Sequence, residues 1–203
     1  MELIDNRYQI QGVDLLWLTE EFGTPVYVYD ANKIMSQMKR LDKAFGHLNC
    51  KIKYAAKSLT NVSELKLLKQ AGAGLDVVSI QEAHLGLKAG FAPGEILFTP
   101  TCVSFEEIQE AVSLGLMINI DNIAVLEQFG HEYGDSVPCC VRLNPHIMAG
   151  GNNKISTGHI DSKFGISIYQ MPHLLRVIRS NNIKVIGLHM HTGSDILDAD
   201  VFL

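Results

Sequence analysis

The sequence predicts a (β/α)8 barrel, on three observations: short apolar strands alternate with capped helices, the alternation recurs at a near-constant interval, and no phosphate-loop motif follows the first strand. The strands read "IKYAAK", "GLDVVS", "EILFTP", "LMINID", "PCCVRLNP" and "KVIGLHMHTGSD". Such nearly continuous apolar runs suit a parallel sheet covered by helices. With Lys57, Asp76, Thr99, Asp121, Asn144 and His191 as strand-end markers, the spacings are 19, 23, 22, 23 and 47 residues. This repeat fits either a doubly wound sheet or a barrel. Nucleotide-binding doubly wound sheets usually carry GxGxxG or GxxxxGK after the first strand. The chain has neither there, so the barrel is preferred.

Each helix carries its own punctuation. "VDLLWLTEEFG" opens the chain as an amphipathic helix, and "TPVYVYD" (24–30) follows as a strand. Asp30 is the expected N-cap of "ANKIMSQMKRLDKAFG", which Gly46 closes. "NVSELKLLKQAG", "IQEAHLGLKAG", "SFEEIQEAVSLG" and "NIAVLEQFG" come next, with Ser79/Glu82 and Ser104/Glu107 at capping-box spacing. A long loop, including the glycine-rich run 150–153 to which no chemistry is assigned, leads to "MPHLLRVIRSNN". A closed barrel needs eight strands and about six are present, so the barrel is expected to be incomplete in this chain.

With 203 residues, 47% of them hydrophobic, the chain can bury a sizeable core. Its net charge of -5, spread without blocks, gives no footprint for nucleic acid or an anionic membrane. "MELIDNRYQIQG" lacks the basic and apolar regions of a signal peptide, and no run approaches a membrane span, so the cytoplasm is the default. Cys50, Cys102, Cys139 and Cys140 lack metal-type spacing and read as small buried apolar residues, the adjacent pair facing opposite ways on a strand.

In a barrel the carboxyl ends of the strands converge on one face. That convergence would bring Lys57 together with Asp76, Arg142, His191 and "HTGS". Lys53 is expected to be solvated; Lys57, at the strand end, can simply snorkel, but a desolvated lysine there can condense with an aldehyde such as pyridoxal. His189 and His191 share a strand face and could hold a metal, but the HxH pair of amidohydrolase barrels normally stands on the first strand and this one on the sixth, and His189 reads better as a core histidine or one that supports the site residues. The bland readings make Asp76 a cap or an ion-pair partner, Arg142 an ion-pair residue, Ser194 a turn residue and Lys163 structural.

The series "GTPVYVYD", "YAAKSLTN", "GAGLDVVSIQEAHLGLKAG", "ILFTP", "RLNPHIMAGGNNKISTGHIDSKFGI" and "GLHMHTGSDI" resembles the fold-type III pyridoxal-phosphate-dependent decarboxylases over essentially the whole chain. "YAAKSL" departs slightly from the family's more usual "YAVKAN", leaving the lysine in place. The resemblance implies a barrel of the alanine racemase/decarboxylase type, with pyridoxal 5′-phosphate joined to Lys57. It further implies His191 stacked on the cofactor ring, Gly193 and Ser194 at the phosphate, and Asp76 and Arg142 at polar positions near the lysine and ring. The reaction implied is decarboxylation of meso-2,6-diaminopimelate to L-lysine and CO2, the last step of lysine biosynthesis. The alternatives are a decarboxylase of ornithine, arginine or carboxynorspermidine, or a non-catalytic pyridoxal-phosphate-binding barrel. The family pattern also implies that the chain is the front half of an enzyme roughly twice as long, inactive by itself and a homodimer at full length, with residues 1–30 lending a strand to a carboxyl-terminal β domain.

Overall fold

The computed structural model describes residues 1–147, 158, 162–194 and 196–202. Run 150–153 lies outside them. The chain opens with a small antiparallel sheet that the sequence reading missed: β1 (Glu2–Ile4), β2 (Arg7–Ile10) and β3 (Val13–Asp14). Two tight turns set its register. Asp5 and Asn6 have φ of 47° and 60°, and Gln11 and Gly12 have φ of 53° and 79°. Paired positive φ values match the right-handed twist of a two-residue hairpin. The signal was in "IDNRYQIQGV", where two such pairs separate short alternating runs.

Asp14 caps α1 (Leu15–Phe22) by accepting from Leu16 N, and Asp30 caps α2 (Ala31–Phe45) by accepting from Lys33 N. Between them, residues 24–30 form no strand; the apolar alternation is present, but a strand exists only where a neighbour completes its hydrogen bonds. Gln11 ties this region together, donating to Asp30 Oδ2 at 3.2 Å and accepting from Asn32 Nδ2 at 2.6 Å.

The main sheet is parallel. β4 (Lys53–Ala55), β5 (Gly74–Val77), β6 (Ile96–Phe98), β7 (Met117–Ile120), β8 (Cys139–Asn144) and β10 (Val185–His189) lie side by side in chain order. β9 (Ile166–Ser167) pairs with the end of β8 inside the stretch read as loop. A doubly wound sheet reverses direction at a switch point. This order never reverses, so the sheet is an arc of a barrel.

Helices α3 (Val62–Gln70), α4 (Ile80–Ala89), α5 (Phe105–Ser113), α6 (Ile123–Tyr133) and α7 (Met171–Ser180) connect the strands. Ser104 and Glu107 form the full reciprocal box, whereas Glu82 reaches past Ser79 to accept from Val78 N at 2.9 Å. Helix α6 runs on through Gly130, where a stop was expected. A Cβ there would lie 2.7 Å from Asn181 Cβ and Ile183 Cδ1, so this glycine serves close packing.

Alternation on the strands separates two environments. Leu75, Val77, Ile96, Phe98, Ile118, Ile120 and Val141 are buried with Leu65, Leu126 and Phe129 in one core. Each such side chain contributes about 1.5–3 kcal/mol on burial. Cys139 is buried and Cys140 half-buried, but Cys50 and Cys102 are exposed, correcting the expectation for those two, which lie outside the strands where burial is enforced. No helix among the described residues is long and apolar enough to cross a membrane.

Candidate active site

The remaining alternate strand residues meet at the carboxyl ends of the strands. They line a cleft of about 330 Å³ with Lys57, Asp76, Thr99, Thr101, Arg142, Lys163, Phe164, His189 and His191 around it. Lys57, Thr99, Asp121 and His191 are not the last strand residues, as expected, but lie one or two positions beyond β4, β6, β7 and β10, where the backbone leaves the ladder. Lys57 sits in a 3₁₀ turn, Ala56–Ser58, behind the buried Ala56, and its side chain is exposed at the mouth.

Asp76 accepts a 2.6 Å bond from Thr99 Oγ1. Burial pushes its carboxyl above the ordinary range, while the Thr99 hydroxyl, Lys57 and Arg142 pull it back. Arg142 is only 8% exposed. Its guanidinium carbon lies 4.8 Å from the centre of the Phe164 ring, a cation–π contact. Burial lowers the Arg142 pKa, and Asp121 and Asp76 oppose that shift. Asp121 is itself held by Thr101 Oγ1 at 2.7 Å.

His191 accepts from Gly193 N at its Nδ1, 3.2 Å away. A backbone N–H can only donate, so this contact places the ring proton on Nε2. Burial, Arg142 and Lys57 lower its pKa and favour the neutral ring. The structure thus brings Lys57, Asp76, Arg142 and His191 to one cleft. Gly193 reaches it only through His191, and Ser194 is exposed outside its lining.

Lys53 is not simply solvated, as expected. It is half-buried at the opposite, amino-terminal end of the strands, where its amine donates to Glu95 O at 2.7 Å. A larger cavity of about 520 Å³ lies there, but it collects backbone, apolar groups and scattered charges rather than the polar strand-end set. Barrel chemistry belongs to the carboxyl ends.

Among the groups lining the cleft His189 is shifted furthest, down to about 4 from 6.5, by burial and then by Arg142 and His191. Its neutral form costs nothing above pH 6.5. As the pH falls from 6.5 toward 4 the unfolded chain takes up a proton that the folded one refuses, so stability is lost across that window. The slope is at most about 1.4 kcal/mol per pH unit. Thermal midpoints measured from pH 7 to 4 are expected to fall, and His189→Gln to flatten that part of the fall. Among the described residues no cluster of three or more His, Cys, Asp or Glu could hold a metal.

A cleft with an accessible amine, two half-buried or buried cation and carboxylate partners, and a neutral imidazole fits a compact aldehyde cofactor with a negatively charged group. The chain belongs to the pyridoxal-dependent decarboxylases: residues 31–203 match the family's pyridoxal binding domain. Among known proteins, it is 34% identical to the diaminopimelate decarboxylase of Methanothermobacter thermautotrophicus, over 96% of this chain and 46% of that protein. It is 35% identical to the diaminopimelate decarboxylase of Bacillus subtilis, with the same coverage of 96% and 46%. The crystal structure of the M. jannaschii diaminopimelate decarboxylase in co-complex with L-lysine superposes with a TM-score of 0.85 at 29% identity, covering 99% of this chain and 49% of that one. The chain therefore spans about half the length of the relatives it matches.

Thr99, Thr101 and Phe164 line the cleft without having been singled out from the sequence as site residues. Strand parity points further to Asn119 on β7, two residues before Asp121 on the same face.

Proposed function

We propose that the cleft binds pyridoxal 5′-phosphate and that the protein carrying this chain decarboxylates meso-2,6-diaminopimelate to L-lysine and CO2. The observation that carries this reading is the Lys57 amine sharing one cleft with Asp76, Arg142 and His191. Bound pyridoxal phosphate supplies the electron sink for the pair left behind when the carboxylate departs. Lys57 would hold the cofactor by its aldehyde, its exposed amine standing at the mouth. His191 would contribute a neutral imidazole, and Asp76 and Arg142 opposite charges, with Thr99 holding Asp76 and Phe164 holding Arg142 in place. Gly193 and Ser194, just beyond His191, contribute to the phosphate site.

In this reading residues 1–30 form a separate amino-terminal unit, and 24–30 supply a strand to a second, β-rich domain, which the unpaired apolar alternation of that run supports. Residues 31–203 are the cofactor-binding part of the barrel, and the working enzyme is a cytoplasmic homodimer. The diaminopimelate decarboxylases among its relatives support meso-diaminopimelate over ornithine or arginine. The test is CO2 release by the purified, cofactor-loaded protein from each of the three amino acids. Release from meso-diaminopimelate at least about a hundredfold faster, by kcat/KM, is expected, since pockets built to bond a polar group reject substrates lacking it. Preference for ornithine or arginine would overturn the substrate, and release from none would overturn the enzyme reading.

A further inference from the structure

Asn119 takes no part in the chemistry above, yet it occupies a costly position. It is 1% exposed on β7, and its Oδ1 is buried with no hydrogen-bond partner. An unsatisfied buried acceptor opposes folding, a cost that an apolar side chain here would avoid. Its other amide atom makes one bond: Nδ2 to His189 Nδ1 at 3.1 Å. That bond crosses the barrel interior, because β8 lies between β7 and β10 in the sheet.

We propose that Asn119 is a positioning residue: by donating to Nδ1 it holds His189 as a neutral ring with its proton on Nε2, so that His189 presents a hydrogen-bond donor to an anionic oxygen bound in the cleft. Several observations converge on this. His189 lines the cleft beside Arg142 and His191, with Lys57 and Asp76 across the mouth. An imidazolium would stand against the Arg142 cation on β8 and against His191 on its own segment, and both disfavour it. A ring kept neutral by its surroundings still has two tautomers, and only the partner at the other nitrogen decides between them. Gly193 N does this for His191. Asn119 does the same for His189, so the two histidines at the end of β10 both show Nε2–H. The arrangement gives the cleft donors without adding charge.

The inference rests on the proposed function only for its kinetic arm. The first measurement is independent of it: nitrogen NMR of ring-labelled histidine in the full protein, with and without pyridoxal phosphate. His189, assigned by its loss in His189→Gln, should be neutral with a bare Nδ1 from pH 8 to 5. A proton on Nδ1 would overturn the proposal whatever the protein catalyses. Asn119→Asp, nearly identical in shape, replaces the donor with an acceptor; it should move the proton to Nδ1 and raise the pKa of the ring. Asn119→Ser, smaller and safer for folding, should leave a mixture of tautomers.

In the decarboxylation assay, Asn119→Asp should lower kcat by about tenfold or more with little change in KM, the behaviour expected when an oriented group is lost. The same substitution in a His189→Gln background should cost almost nothing further. If it costs the same factor in both backgrounds, Asn119 acts on the barrel as a whole rather than through His189, and the proposal fails. Absence of activity in the unmutated protein would instead count against the proposed function, with the NMR result still deciding the tautomer.

Discussion

Lys57→Ala is expected to abolish the visible absorption of the cofactor-loaded protein and to reduce decarboxylation by at least about a thousandfold, the scale of loss when a covalent group is removed. The cleft contains a second amine, Lys163, whose Nζ lies 5.3 Å from the Phe164 ring, and the barrel a third, Lys53, bonded to Glu95 O at the far end. These are the controls. Lys53→Ala should retain the band and the activity because its amine faces the other cavity. Lys163→Ala should retain the band even where turnover falls. A band that survives Lys57→Ala and disappears with Lys163→Ala would move the covalent site by one side of the cleft. An unchanged spectrum in all three would remove lysine chemistry from it altogether.

The second large effect belongs to His191. His191→Ala should weaken cofactor binding and slow turnover, while His191→Phe should restore binding through its flat apolar face and leave turnover low. An aromatic contact of this kind is worth about 0.5–1.5 kcal/mol beyond burial, or roughly twofold to thirteenfold in the dissociation constant. Equilibrium binding of pyridoxal phosphate measures the first quantity and single-turnover CO2 release the second. Normal turnover in His191→Ala would remove the ring from the site and make its Gly193 contact purely a matter of the turn.

The repeat of strand and helix was legible because each unit carries local markers: Asn61, Ser79, Ser104 and Asn122 all cap the helices they precede. The sequential sheet order followed from the absence of a nucleotide loop and from the near-constant spacing. Residues at strand ends were legible as site candidates because convergence at the barrel mouth is a property of the fold. What escaped depended on contacts between distant segments. Phe164 gains its place under Arg142 only because β9 folds back onto β8, a pairing of two residues that leaves little trace in composition. Thr99 matters through Asp76, 23 residues earlier, and Asn119 through His189, 70 residues later. The opening sheet was overlooked for a different reason: its strands are three, four and two residues long, too short for alternation to stand out.

The next-neighbour order of the main sheet also sets how the chain can fold while it is being made. Every strand from β5 to β8 pairs with the strand synthesised just before it, about twenty residues earlier, so none of these four pairings waits for a distant partner. At a synthesis rate of about 5–20 residues per second a new unit emerges every one to four seconds, far longer than a short loop needs to close. The sheet can therefore grow from one side, each arriving strand covering the edge left open by its predecessor. The opposite edge, β4, must stay uncovered throughout that growth. It is three residues long, begins at a lysine and follows Lys51 closely. Short length and nearby positive charge are the features that discourage stray strand pairing, and they protect the edge that is exposed for longest.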